Sequence, residues 1–284
     1  MLLSPVIFSP TTPERFDVNR VEIYGQVTKI WARSSGDVFV RVMIGENLPP
    51  EDDSLKGKPL DTRLTLLLPM GQVNGQDLSL LKNDLLHVTG YLGDIIQWET
   101  MRDFLLKARQ VSLVDRVPEL APALGVRVKR ILTCVIPEIL EVLDPGDHPC
   151  TLQGTARLEG VVARVWRYGG DLFTRLAVYD QHTLLTSLPG NHGRKRRVPH
   201  YLTVQFPNES VDGREVNLKP KDRLRISGSL GSRVYSENLR TFLISAGEAD
   251  RLAHLSDGQA PDEVWTAYVQ TCLVAHNLIQ YTRR

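Results

Sequence analysis

An internal repeat constrains the fold of this chain more than any other feature of the sequence. Residues 64–108 align without a gap with residues 202–246, and 16 of the 45 positions are identical. Unrelated chains of ordinary composition would agree at roughly 6% of positions. A second match joins Val21–Trp31 to Ala156–Trp166. The 284 residues therefore hold two copies of one structural unit, a length that suits two domains.

Each copy has the pattern of a small β-barrel. Apolar and polar side chains alternate over residues 38–43, 86–92 and 201–206, as in half-buried strands. Gly25 and its counterpart Gly160 interrupt the first strand, where a small barrel must bend sharply. We count five strands in each copy. The predicted fold is all-β with a minor helix, built from tandem OB-fold five-stranded barrels.

The repeat divides the chain into four segments. The two OB-fold domains are predicted over residues 14–115 and 151–250, with an ordered connector over 116–150. In residues 251–284 the apolar side chains recur at helical spacing, which predicts a C-terminal amphipathic helix. They are Val264, Tyr268, Cys272, Ala275 and Ile279. This helix is expected to pack on its own barrel or, alternatively, to contact another subunit.

The strand pattern also predicts which side chains face away from the barrel interior. A change of phase after Gly25 requires a β-bulge in the first strand of each copy. With that bulge, aromatic and basic residues alternate on the outer surface. Aromatic rings stack on bases at ~1–3 kcal/mol per base, and Arg and Lys neutralise phosphates. The predicted contact residues are Lys29, Trp31, Arg33, Phe39 and Arg41 in the first copy, and Arg164, Trp166, Tyr168, Phe173, Arg175, Tyr179 and Tyr201 in the second.

The two copies differ in charge. The chain carries a net charge of +1, but residues 1–115 sum to −3 and residues 151–250 to +5. The loop over 181–199 is basic, whereas the corresponding loop over 45–61 is acidic. A basic loop is often merely solvated, but here it borders the predicted stacking surface, which favours contact with nucleic acid. Its cations are Arg194, Lys195, Arg196 and Arg197. The second copy is therefore predicted to supply most of the affinity.

The repeat unit resembles the bacterial single-stranded DNA-binding protein (SSB) family, in its form with two OB domains per chain. Lys82–Leu92 and Pro220–Leu230 are similar to the family's fourth strand, which ends in Gly-x-Leu. The resemblance implies that Trp98 and Tyr235 lie near the hairpin aromatic that stacks on DNA. It also implies a homodimer with four barrels. The family's acidic C-terminal tip is absent, since the sequence ends in Arg283-Arg284.

These features predict sequence-tolerant binding and protection of single-stranded DNA in replication, recombination or repair. An RNA-binding or primosome-type OB protein is an alternative, and a protein-interaction module, favoured by the acidic loop, is another. The sequence has no metal motif, phosphate-binding glycine loop or serine nucleophile elbow, so no catalytic residue, metal or cofactor is expected. Three scattered cysteines and the lack of a long apolar run predict a cytoplasmic protein without a membrane partner.

Overall fold

The computed structural model describes the repeat and leaves out several of its connections. It covers residues 17–33, 35–45, 63–73, 75–77, 79–111, 114, 126–144, 152–183, 185–187, 195–248 and 262–281. Most of the two loops that were predicted to differ between the copies lies outside the described residues, and so does Arg194.

Five strands of the first copy close into a barrel. They are β1 (Asn19–Ala32), β2 (Val38–Met43), β3 (Arg63–Leu68), β6 (Leu85–Thr100) and β7 (Arg127–Leu143). β1 pairs with β2, β2 with β3, and β3 with β7 in parallel. β7 then pairs with β6, and β6 returns to β1, which closes the ring. A five-stranded Greek-key barrel of this kind is an OB fold.

The second copy closes in the same order. Its strands are β8 (Gln153–Tyr168), β9 (Asp171–Val178), β12 (His200–Phe206), β15 (Arg223–Asn238) and β16 (Trp265–Tyr281). β8 pairs with β9, β9 with β12, β12 with β16 in parallel, β16 with β15, and β15 with β8. The prediction of tandem five-stranded OB barrels is confirmed.

Shorter elements decorate the barrels. Three two-stranded sheets are formed by β4 (Gln72–Val73) with β5 (Gln76–Asp77), β10 (Leu185–Ser187) with β11 (Lys195–Arg197), and β13 (Ser210–Val211) with β14 (Arg214–Glu215). Two helices lie wholly within the described residues, α1 (Met101–Lys107) and α2 (Leu239–Ser245), and 3-10 turns occupy Pro69–Gly71 and Pro207–Glu209. Thr100 and Asp103 form a capping box that starts α1.

Two of the predicted segments are wrong. The predicted connector over residues 116–150 contains β7, the fifth strand of the first barrel. The predicted helix over residues 251–284 contains β16, the fifth strand of the second barrel. Side chains four residues apart, such as Tyr268 and Cys272, share a face in a strand as well as in a helix. The spacing therefore could not distinguish the two, and pairing with the neighbouring strand decided the outcome.

The repeat is longer than the sequence comparison recognised. Thr133-Cys134 and Thr271-Cys272 lie at the same shift that relates residues 64–108 to 202–246. Val126 and Val264 also match. These identities mark the fifth strand of each barrel and could have been found by extending the alignment. The barrels therefore span residues 19–143 and 153–281, rather than ending near residues 115 and 250.

The interior of each barrel is filled by counterpart side chains. Ile23 and Leu64 are fully buried in the first barrel, as are Leu158 and Leu202 in the second. A Cβ at Gly25 would lie 2.3 Å from a methyl carbon of Val42, so this position admits no side chain without rearrangement. The predicted role of the mid-strand glycine in close packing of the barrel is thereby explained.

An approximate two-fold axis relates the two barrels within the chain. β1 and β8 pair antiparallel, with Val21 opposite its own counterpart Ala156. Phe104 and Phe242, also counterparts, are fully buried and contact each other with ring centroids 4.8 Å apart. A chain of ten strands therefore runs continuously through both barrels. The two copies are thus arranged like the subunits of a two-fold symmetric dimer, although they belong to one polypeptide.

Buried ion pairs hold the barrels together near this axis. Arg130 of β7 donates to Glu99 in its own barrel at 2.8 Å and to Glu237 in the other. Tyr268, the counterpart of Arg130, donates its hydroxyl to Glu99 at 2.7 Å. Glu99 is 1% exposed. Burial disfavours the charge of Arg130, but hydrogen bonds to the two carboxylates outweigh this and raise its pKa.

Candidate nucleic-acid interface

The predicted β-bulges are present and turn the aromatic residues outward. The pairing of β1 with β2 shifts between Val27 and Lys29, and the pairing of β8 with β9 shifts between Val162 and Arg164. After the shift, even-numbered Ile30 packs on the barrel core while Lys29 and its neighbours of the same parity face outward. The bulge predicted from the sequence is therefore confirmed in both barrels.

Cross-strand pairing lines up an aromatic row on the outside of each barrel. In the first outer face, Trp31 stands opposite Phe39, with ring centroids 5.5 Å apart and planes inclined by 14°. In the second outer face, Trp166 stands opposite Phe173, with centroids 5.6 Å apart and planes inclined by 17°. The two faces thus present the same stacked pair, fixed by the same strand register.

Cations cover these rings in the first outer face. The Arg33 guanidinium lies 4.5 Å from the centre of the Phe39 ring. Lys29 Nζ and the Arg41 guanidinium each lie 5.7 Å from the centre of the Trp31 ring. These distances are within the range of cation–π attraction.

The second outer face reaches a similar arrangement with a residue from a different strand. Arg233 of β15 lies 4.4 Å from the Phe173 ring centre and 4.6 Å from that of Tyr168. Tyr168 occupies the position that corresponds to Arg33 in the first copy. Arg164 lies 5.8 Å from Trp166. Arg233 was not among the predicted residues, although extending the alternation of β15 beyond Leu230 would have placed it outward.

The cations of the outer faces are uncompensated. Five of them form no ion pair with any carboxylate among the described residues, namely Lys29, Arg33, Arg41, Arg164 and Arg233. Arg41 Nε is buried without a hydrogen-bond partner there. Arg167 and Arg240, by contrast, are paired with Glu209 and Asp262. Unpaired cations over aromatic rings form a surface suited to a ligand that is both anionic and aromatic.

The stacked phenylalanines are less accessible than their outward orientation suggested. Phe39 and Phe173 lie on the predicted outer faces, but each is only 2% exposed, beneath the Trp ring and the covering guanidinium. Cys134 packs with Phe39, and its counterpart Cys272 is also buried; burial raises the pKa of each thiol to about 12. The rings that a base could reach directly are therefore the half-buried Trp31 and Trp166, with Phe39 and Phe173 as their support.

Other predicted residues extend the second outer face. Tyr168, Tyr235 and Tyr201 are 55%, 40% and 38% exposed. Tyr235 stacks on Tyr268 with centroids 5.2 Å apart, and Tyr179 is half-buried. Lys195, Arg196 and Arg197 form β11 at the end of the basic loop.

Trp98 lies apart from the first aromatic row. It is 52% exposed on β6, and the Arg127 guanidinium lies 4.9 Å from its ring. Ile96 and Ile131, opposite each other on the same hairpin, are 55% and 40% exposed. The counterpart of Trp98 in the second barrel is Ser236. Trp98 and Tyr235 therefore occupy the two extended hairpins without being equivalent.

The second outer face ends against the first barrel. Asp94 of β6 accepts a hydrogen bond from the Tyr201 backbone and another from Thr133 at 3.0 Å. Burial raises the pKa of Asp94, although these hydrogen bonds and the charge of Arg175 oppose the shift. Arg175 donates to Thr203 on the neighbouring strand. The predicted contact residue Arg175 is thus held between the two barrels.

The described residues meet the requirements of neither a metal site nor a membrane-spanning helix. There, no group of three or more His, Cys, Asp and Glu side chains is arranged to hold a metal ion. Likewise, no helix in that part of the chain is long and apolar enough to cross a membrane.

The fold and its outer faces define a tandem OB-fold chain with basic, aromatic surfaces. Two solved structures of the single-stranded DNA-binding protein from Thermus aquaticus, the wild type and a deletion mutant, are similar to this chain. Both have a TM-score of 0.46, with 17% and 16% sequence identity. The matches cover 95% of this chain and 96% and 97% of those structures. No family model matches the sequence, and no curated protein matches it.

Proposed function

We propose that this protein binds single-stranded DNA without strong dependence on sequence, and protects it during replication, recombination or repair. The observation that carries the proposal is the pairing of stacked Trp–Phe rings with uncompensated cations on both barrels. Stacking captures bases of any identity, and the cations neutralise phosphates and release counterions. Trp98, Tyr168, Tyr201 and Tyr235 offer further exposed rings along the path.

Fluorescence titration with oligonucleotides of graded length tests this proposal. Stacking on Trp31, Trp98 or Trp166 should quench the tryptophan emission, and the affinity should fall steeply as salt rises. A matched series of RNA oligonucleotides, used as competitors, separates DNA binding from the RNA-binding or primosome-type alternative. Double-stranded DNA serves as a control, since paired bases cannot stack on the protein. Equal binding of duplex and single strand would contradict the proposal.

A protein partner is a second candidate for the first barrel only. The exposed Ile96, Trp98 and Ile131 form an apolar area on its hairpin, in which Trp98 has the polar Ser236 as its counterpart in the second barrel. Substituting Ile96 and Ile131 by Glu should then leave DNA affinity nearly unchanged while abolishing capture of a partner by the intact chain. A large loss of DNA affinity would instead place this hairpin on the DNA path.

We propose that the chain assembles as a homodimer with four barrels, in the reducing cytoplasm. Six strands, from β7 through β1 and β8 to β16, form one sheet across the two-fold axis. A groove of about 1090 Å³ crosses its centre. Ile139 and Ile279 are about half exposed, at 50% and 51%, on the two outermost strands. Light scattering at micromolar concentration should give twice the mass of the chain, and a stable monomer would contradict this proposal.

A further inference from the structure

The two outer faces are built from matching rows of side chains, and three positions that are aliphatic in the first face are polar in the second. The first row consists of the Trp–Phe pair followed by Leu67 in the first barrel and by Gln205 in the second. The second row ends in Leu132 and Ile95 in the first barrel, and in Gln270 and Arg233 in the second. Thr65 and Thr203 are identical counterparts within the second row. Two amides and a guanidinium thus replace three aliphatic side chains.

These replacements change what lies beside the aromatic pair. Leu67 packs with Phe39, Ile95 and Leu132 in an apolar cluster whose only hydrogen-bonding groups are the thiol of Cys134 and the indole N–H of Trp31. In the second barrel, Gln205 donates to Asp171 at 2.7 Å, which fixes the orientation of its amide. The first outer face has the Arg33 guanidinium over Phe39, but this cluster holds no amide that could accept a hydrogen bond from a base edge. The second face has polar groups at that level.

Two of these polar groups keep hydrogen-bonding capacity for a ligand. Gln270 donates through Nε2 to Thr203 at 3.3 Å, and no described donor reaches its Oε1. Arg233 lies directly opposite Gln270 across the β15–β16 pair, between two aromatic rings, and makes no hydrogen bond through its guanidinium within the described residues. The Arg233 guanidinium, a planar fork of donors, therefore lies against the Phe173 ring on the residue directly opposite Gln270, whose side-chain oxygen is a free acceptor.

We infer that the second barrel distinguishes bases by their edges and favours guanine, whereas the first barrel, whose matching rows hold no amide, distinguishes bases less. Guanine offers two acceptors, O6 and N7, which match the donor fork of an arginine. It also carries N–H donors on its Watson–Crick edge, which suit the free Gln270 oxygen. Thymine presents only single acceptors to such a fork. The inference rests on the proposed binding of single strands and adds a preference to it.

The test compares two probes on the intact chain. One is a thymidine oligonucleotide of about 20 nucleotides, and the other has isolated guanines spaced along it so that no guanine run can self-associate. One good contact to guanine contributes ~1 kcal/mol or more, or about a five-fold difference in affinity. We expect the guanine probe to bind at least about five-fold more tightly. Equal affinity for the two probes would overturn the inference while leaving single-strand binding intact, whereas failure to bind either probe would overturn the proposed function itself.

Arg233→Lys separates edge recognition from charge. Lysine keeps the positive charge but lacks the planar fork, so affinity for the guanine probe should fall more than affinity for the thymidine probe, and the ratio of the two should approach one. An unchanged preference would overturn the inference. The chain supplies a matched control in the double change Arg233→Ile with Gln270→Leu, because the first barrel already carries these residues at the counterpart positions. This variant should also lose the preference.

The reciprocal change should transfer the preference. Ile95→Arg with Leu132→Gln installs the second barrel's pair on the first outer face, and the guanine preference should rise by roughly another two- to five-fold. Circular dichroism of each variant shows whether it is folded before its affinity is compared. A folded reciprocal variant with no added preference would overturn the assignment of base readout to these two positions.

Discussion

The two barrels each place a cation over a counterpart phenylalanine ring, but the cation comes from a different strand in each barrel. In the first outer face, the cation over the phenylalanine comes from the end of β1, as Arg33, and the fourth strand contributes Ile95. In the second, the fourth strand contributes the cation, as Arg233, and the end of the first strand contributes Tyr168. The comparison teaches that the cation over the ring is retained although its source has moved, while the surroundings changed from aliphatic to polar.

The largest expected effect tests whether the shared aromatic pair is equivalent in the two barrels. Phe39→Ala and Phe173→Ala should each destabilise the fold by ~3–5 kcal/mol, because each ring is buried against a tryptophan and a covering guanidinium. Urea unfolding monitored by circular dichroism measures both. If only one of the two substitutions lowered the free energy of unfolding, the aromatic pair would stabilise just one barrel, and the two barrels would not be equivalent.

The next expected effect concerns the charge difference between the loops. Replacing Arg194, Lys195, Arg196 and Arg197 by Gln should flatten the log–log salt dependence of single-strand affinity by up to ~3 units, because each phosphate contact contributes ~0.7. Lys56→Gln with Lys58→Gln, in the acidic loop of the first barrel, is the matched control and should change the slope by less than ~1 unit. Similar slopes for both variants would mean that the two loops contact the strand alike.

Stacking at the two tryptophans gives a smaller and more specific contrast. Trp166→Ala should weaken binding by ~1–3 kcal/mol at nearly constant salt slope, because stacking releases few counterions. Trp31→Ala should weaken it less, since acidic residues of the neighbouring loop repel the DNA backbone. Filter binding at several salt concentrations measures both. An equal loss at Trp31 would mean that the two barrels share the strand evenly.

The smallest expected effect distinguishes two counterpart hydrogen bonds that join the barrels, one made by Asp94 and one by Ser232. Asp94 accepts from the Tyr201 backbone, and its counterpart Ser232 donates to the Arg63 carbonyl at 3.0 Å. Burial raises the folded-state pKa of Asp94, so its contribution to stability is present at acidic pH and is lost as the pH rises through that value. Asp94→Asn should remove this loss, and thermal unfolding across pH 3 to 7 measures it. Ser232→Ala should leave the pH dependence of stability unchanged. If Asp94→Asn kept the pH dependence of the unmodified protein, Asp94 would not be its source.

Local sequence patterns were sufficient for part of the candidate site. The alternation of Val38, Val40 and Val42 required Phe39 to face outward, and the broken phase after Gly25 required the bulge that turns Trp31 outward. They could not show that Phe39 is covered, because its accessibility depends on side chains from other strands. Arg233 was missed for the same reason: its contact with Phe173 joins strands about 60 residues apart.

What the sequence by itself determined is the repeat, the strand character of each copy and the charge difference between them, because these follow from periodicity and composition. Extending the repeat could have located the fifth strands at residues 127–143 and 265–281, but the tertiary structure decided which strands they pair with. It also decided that Val21 meets Ala156 across a two-fold axis, and that Arg130 is shared by two glutamates. Such contacts join distant parts of the chain, and their free energy comes from burial and pairing that no local pattern encodes.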